Sequence, residues 1–238
     1  MAEPSLRSWM RRGLLGAVLV CLAASAQAAS KGVIYKPPVN GLVITYGELG
    51  ADKTQPGQAS VTQKITAIKG DEATFTEWVK AGGLVISQKH TRWRSLFSFR
   101  VVQHNGTLLH DFDKTALRRL WPLVSGKRVE VTSTLYFGPE KTVATAKQKL
   151  RAGRKVTHRY VVEGSELAKL PAGTFQSVII RRTWQQQSPD GSLVESGVDR
   201  IWLATKIGWI VRLERELTEG QRKGARQNLV AVKLERPK

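Results

Sequence analysis

The 238 residues contain one cysteine, Cys21. A single thiol closes no intramolecular disulfide, and its loss with an N-terminal segment would also exclude thiolate catalysis and cysteine zinc sites. Histidine is nearly as scarce. His90, His104, His110 and His158 are the whole supply for acid–base work near neutral pH or for transition-metal binding. There is no H-E-x-x-H pair, no glycine-rich phosphate loop and no G-x-S-x-G elbow, since Ser125 precedes Gly126 outside that motif. No fixed-period repeat is present. Acid is the other shortage, with 19 Asp and Glu against 38 Lys and Arg, a net charge of +19. These absences lean away from an enzyme and from a metal or organic cofactor.

The first 28 residues have the three parts of an export signal. Arg7, Arg11 and Arg12 start it, Gly13 to Ala24 is apolar, and Ala26-Gln27-Ala28 is a small-x-small cleavage site. The apolar run is about half of the ~20 residues that a membrane helix needs, which sets an uncleaved anchor second. Two variants rank below ordinary secretion: a lipoprotein signal at Cys21, where Val20 is bulky, and a twin-arginine signal at Arg11-Arg12. Cleavage near Ala28 would remove three basic residues and Glu3, leaving 35 basic and 18 acidic residues, a net +17. Charge of this size speaks of partners rather than fold. Export moves the available polyanions from nucleic acid to phospholipid headgroups, lipopolysaccharide, wall polymer or acidic polysaccharide.

The rest reads as β structure. Residues 29–40, with Pro37-Pro38, form a flexible lead-in, and 41–238 form one β-rich domain. Strands are expected at Gly41 to Tyr46, Ala59 to Lys69, Ala73 to Val79, from Leu84, and at Leu96 to Val102. They are expected again at Lys127 to Phe137, Val156 to Val162, Thr174 to Ile180, Val198 to Ala204, Ile207 to Leu217 and Leu229 to Glu235. Lys127 to Phe137 alternates most cleanly, with Val129, Val131, Leu135 and Phe137 on the apolar phase. Turns fall at Gly70-Asp71, Asn105-Gly106 and Ser188-Pro189-Asp190-Gly191, and Ser165-Glu166-Leu167 reads as a connection. One short helix, capped by Asp113, carries Ala116, Leu117, Leu120 and Trp121 on one face and ends at Pro122. The expected class is all-β and mainly antiparallel, a curved sheet, open barrel or sandwich, with that helix plugging one end.

Leu120-Trp121-Pro122-Leu123, Gly126-Lys127, Tyr160 to Glu163, Leu170-Pro171-Ala172-Gly173-Thr174-Phe175 and Gly208-Trp209-Ile210-Val211 occur in this order. Over Trp93 to Leu234 the chain thereby resembles a family of exported bacterial β-rich proteins, a domain of unknown function. The resemblance implies a mostly antiparallel curved sheet or open barrel in the cell envelope, and brings no catalytic residues with it. Where such proteins tend to have tyrosine and proline ahead of the Gly208 position, this chain has Ala204-Thr205-Lys206.

Two basic stretches are the candidate anion sites. Lys147, Lys149, Arg151, Arg154 and Lys155 lie in a run without acid, and Arg159 extends it along the next strand. Arg92 and Arg94 flank Trp93, a mixture that suits sugar rings or lipid headgroups. The plainer readings are a solvated loop and a core tryptophan with arginines on the opposite face. Trp121 and Trp209 read as core; Trp184 and Trp202 stay open. The expected function is a non-enzymatic exported envelope protein binding an anionic amphiphile or polymer through a basic surface. The alternatives are a structural or interaction protein docking through a sheet edge, and a metal-assisted hydrolase using His104, His110 and Asp111.

Overall fold

The computed structural model describes residues 32–49, 56–139 and 153–237. Its strands are β1 (Val43–Leu49), β2 (Pro56–Lys69), β3 (Glu72–Ala81), β4 (Leu84–Arg94), β5 (Phe97–Gln103), β6 (Gly106–Phe112), β7 (Arg128–Gly138), β8 (Arg154–Leu170), β9 (Gly173–Gln187), β10 (Leu193–Ala204), β11 (Trp209–Glu219) and β12 (Arg226–Glu235), with α1 (Lys114–Arg118) between β6 and β7. Each strand pairs antiparallel with its sequence neighbours, and β1 pairs with β12 from Val43↔Glu235 to Glu48↔Leu229, so the sheet closes into a twelve-stranded barrel. Closure removes the free edges that an open sheet would present along its length. The expected all-β, mainly antiparallel class holds, and the barrel is closed rather than open.

The two-residue period places the side chains. In β7, Val131 and Ser133 are buried while Glu130 and Thr132 are exposed; in β8, Val156, His158, Tyr160 and Val162 are buried. The period that sorts them is that of a pleated strand with one dry face. In the core, Trp209 of β11 meets Trp93 of β4 at 4.6 Å and Phe75 of β3 at 5.1 Å, so the rings span the barrel rather than pack along one wall. Each large side chain enclosed in this way contributes about 1.5–3 kcal/mol of transfer free energy.

The meander sorts its connections to two ends. The β3–β4, β5–β6, β9–β10 and β11–β12 turns share one end, and the other carries the β2–β3, β4–β5, β8–β9 and β10–β11 turns together with α1. Asp113 caps α1 by accepting a hydrogen bond from Thr115 N at 2.8 Å. Its Leu117, and Leu120 just beyond, have no exposed surface, so this segment plugs the barrel as the sequence suggested. Residues ahead of β1 join the plug. Val33 exchanges backbone hydrogen bonds with Leu123 at 2.9 and 2.8 Å, Tyr35 packs edge-on against Trp121, and its hydroxyl donates to Asp71 O at 3.0 Å. Gly208 has φ +64°, and a Cβ there would lie 2.2 Å from Lys36 O, so only glycine lets the β10–β11 turn approach the lead-in.

Two local expectations need correction. Ser165-Glu166-Leu167 is no connection: β8 runs through it, because an irregularity at Val162/Gly164 shifts the register and pairing with β9 then resumes to Leu170↔Gly173. The β5–β6 turn lies one residue earlier than expected, at His104-Asn105, and Gly106 with φ +141° opens β6.

Candidate functional site

Three adjacent strands build a groove of about 380 Å³ on the outer wall, lined by Arg128, Val129, Glu130, Arg159, Tyr160, Val161, Arg181 and Thr183. Register makes it. Arg128 pairs with Val161 and Val161 with Arg181, while Glu130 pairs with Arg159 and Arg159 with Thr183. Two arginines thus flank an apolar residue in one row, and a third stands in the next row about 7 Å along the strands. The lining holds three arginines and one carboxylate, a net +2. Arg159 Nε donates to Glu130 Oε2 at 2.7 Å, with both side chains more than half exposed. Arg181 shares Glu163 with Arg200, at 3.4 and 2.9 Å. Arg128 has no carboxylate partner among the described residues. Exposed pairs of this kind are worth at most about 1 kcal/mol, so an incoming phosphate or carboxylate can compete for their guanidinium groups.

The candidates read from sequence separate. Lys147, Lys149 and Arg151 lie outside the described residues. Arg154 and Lys155 open β8, exposed and without a carboxylate partner among the described residues. Arg159 reaches the groove. Arg92 and Arg94 lie at the plugged end and are committed: Arg92 to Glu72 at 2.7 Å, Arg94 to Glu72 and to Asp71 at 3.2 Å with its side chain only 8% exposed. Burial would raise the Glu72 carboxyl, but Arg92 and Arg94 hold it below its ordinary range. Trp93 between them is core, at 3% exposure.

Nor do the residues of the hydrolase alternative converge. His104 is exposed at a turn, while His110 and Asp111, adjacent in β6, point to opposite faces. His110 faces inward against Phe97 and Ser133, 3.0 Å from the Ser133 hydroxyl. Among the described residues no three His, Cys, Asp or Glu side chains are placed to hold a metal ion.

Inside the same strands lies a polar row that the sequence reading missed. Tyr160, Arg182, Asp199 and Arg215 are successive cross-strand partners on β8, β9, β10 and β11. Asp199 has no exposed surface; it accepts from Arg182 Nε at 2.9 Å and Arg215 Nε at 2.8 Å. Burial works against the Asp199 charge, yet the two guanidinium groups hold its pKa down at about 2. Asp199 in turn raises Arg182, which burial alone would lower. One step away, His158 is 6% exposed and neither ring nitrogen has a hydrogen-bond partner among the described residues. Burial, then the Arg182 charge, pushes its pKa down to about 2, so the ring is neutral. The signal was there: Val178 and Ile180 set an inward phase that Arg182 and Trp184 continue. Trp202 is buried on the other face, where Arg200 and Arg212 lie over its ring at 5.0 and 4.4 Å and Glu166 accepts from Nε1 at 2.6 Å.

No protein-family model and no curated protein matches the sequence. Among solved structures the chain is similar to a candidate exported protein with a YmcC-like fold from Bacteroides fragilis NCTC 9343, with 15% identity and a TM-score of 0.48 over 86% of this chain and 100% of that one. It is also similar to a candidate lipoprotein from Parabacteroides distasonis ATCC 8503, with 12% identity and a TM-score of 0.48 over 86% and 99%. The hypothetical lipoprotein YmcC from Escherichia coli K12 gives 10% identity and a TM-score of 0.45 over 82% and 85%.

Proposed function

We propose that this is an exported, non-catalytic envelope protein that holds an anionic component, a lipid headgroup or an acidic polysaccharide, in the groove on the outer wall of β7, β8 and β9. The observation that carries the reading is the placement of Arg128, Arg159 and Arg181 around Val161. The net charge, +19 for the full chain and +17 without residues 1–28, draws polyanions towards the whole molecule. At the groove, planar guanidinium groups fork onto phosphate or carboxylate oxygens. Val161 offers an apolar contact for a sugar face or acyl stem. Chemistry is not required of any residue there; the site selects by charge and spacing.

The test is titration of the purified protein with phosphatidylglycerol vesicles and, separately, with polygalacturonate. Binding to one of them that weakens steeply with added salt is expected, because exposed charge pairs are screened within about 10 Å at 0.1 M ionic strength. Binding to neither, or binding indifferent to salt, would overturn the proposal.

A further inference from the structure

The β3–β4 hairpin carries three consecutive large apolar residues in the open: Leu84, Val85 and Ile86 are 74%, 51% and 65% exposed. Neighbouring strand residues point to opposite faces, so Leu84 and Val85 cannot both be covered by one flat partner. Among the described residues the tip also has no strand partner on one flank. β4 pairs with β3 from Leu84 onward but with β5 only from Lys89, so Leu84–Gln88 stands beyond the last β4–β5 pair by about 17 Å of strand. From Trp78 to Gln88 there is no acidic residue, and the one charge is Lys80, which is exposed. The hairpin turns at Gly82-Gly83, at the end of the barrel opposite the α1 plug.

We infer that this hairpin is a membrane wedge, inserting Leu84, Val85 and Ile86 into the surface of an anionic bilayer. A lipid medium surrounds a hairpin and covers both of its faces at once, which a protein groove does not. Charge agrees: an acid-free tip with Lys80 at its base, on a chain that stays strongly basic with or without residues 1–28, meets anionic headgroups without repulsion. Depth is limited by that flank, because backbone groups of Leu84–Gln88 unpaired towards β5 cannot enter hydrocarbon. The tip therefore stops at the boundary between headgroups and acyl chains, about 5–10 Å in. This inference does not depend on the outer-wall groove.

The experiment is co-sedimentation with mixed phosphatidylglycerol and phosphatidylcholine vesicles. It compares the native chain with a variant carrying Leu84→Gln, Val85→Gln and Ile86→Gln, and adds an Ile86→Trp reporter. The replaced side chains are exposed, so folding, followed by circular dichroism, is unchanged. Partitioning of the triple variant is expected to fall by about tenfold or more, as loss of three apolar side chains from an interface requires. Bound Ile86→Trp is expected to emit at shorter wavelength than in buffer. Equal partitioning of the triple variant, or an unshifted emission from the Ile86→Trp reporter on vesicles that bind the protein, would overturn the inference. So would a tip-dependent dimer in size-exclusion chromatography with no vesicle binding, which would make a second copy the occupant.

Discussion

Arg182 and Asp199 face each other across β9 and β10 inside the barrel, Nε donating to Oδ2 at 2.9 Å, with Asp199 at zero exposure and the Arg182 side chain at 15%. Removing one member strands the other in a medium that cannot solvate it. Asp199→Ala is expected to cost about 3–5 kcal/mol of unfolding free energy, read from urea denaturation. The double variant Arg182→Met with Asp199→Leu is expected to cost less than Asp199→Ala, since Arg215, at 36% side-chain exposure, can turn to water. A double variant at least as unstable as the single one would show that the pair is net stabilising rather than mutually dependent.

The neutral His158 makes stability sensitive to acid before any carboxylate does. Its pKa falls from 6.5 to about 2 on folding, through burial first and then the charge of Arg182, with His110 adding and Asp199 opposing. Between those values the unfolded chain binds the proton that the folded one refuses. The His158 contribution is therefore complete above pH ~6.5 and falls by about 1.4 kcal/mol for each unit below it, down to about 2. His110, which burial and then Arg182 push down to about 4, adds the same slope between about 6.5 and 4. Asp199 acts in the same sense but later. Its folded pKa of about 2 lies below the ordinary 3.8, so its contribution is present above 3.8 and is lost as pH falls through about 2. Urea midpoints between pH 7 and pH 5 should fall for the native chain, and fall less for His158→Phe, whose ring can keep the contact with Phe97 at 4.9 Å. Equal slopes would remove His158 from the account.

Class and most strands were legible because each strand has one dry face and β-branched residues, as the alternation in β7 and the buried Val156, His158, Tyr160 and Val162 of β8 show. The plug was legible from Asp113 and the shared face of Leu117 and Leu120. The groove was not, although Arg128 stood on the wet phase of its strand and Arg159 on the next. Periodicity tells which face a residue takes but not which row it joins, and it is register that sets Arg128 beside Val161 and Arg181. Arg92 and Arg94 misled for a related reason. A basic run looks available in one dimension, and the carboxylates that occupy it, Asp71 and Glu72, come from the preceding hairpin.

In the groove, the guanidinium groups should act nearly independently, since each meets a ligand as an exposed charge. Arg128→Ala, with no carboxylate partner among the described residues to leave behind, is expected to weaken polyanion binding by about 1 kcal/mol, roughly fivefold, and to lower the salt dependence. Arg181→Ala frees Glu163 for Arg200 and should cost the same or somewhat more. Arg92→Ala, at the plugged end, should leave binding unchanged. Isothermal titration at two ionic strengths measures all three, and an Arg92→Ala effect equal to that of Arg128→Ala would mean that total charge, not the groove, sets affinity.

The plug offers the complementary case, a change that destabilises without touching the groove. Leu117 and Leu120 are wholly buried at the barrel end that holds α1, and Ala116 beside them is 7% exposed. Truncating either leucine leaves a cavity that the surrounding strands, fixed by closure, cannot collapse to fill. Leu117→Ala is therefore expected to cost about 2–5 kcal/mol. The groove rests on hydrogen bonding among β7, β8 and β9, so polyanion affinity measured well below the melting temperature should match the native chain. A loss of affinity in step with the loss of stability would mean that α1 sets the register of β7, the strand that follows it, and through β7 the position of Arg128.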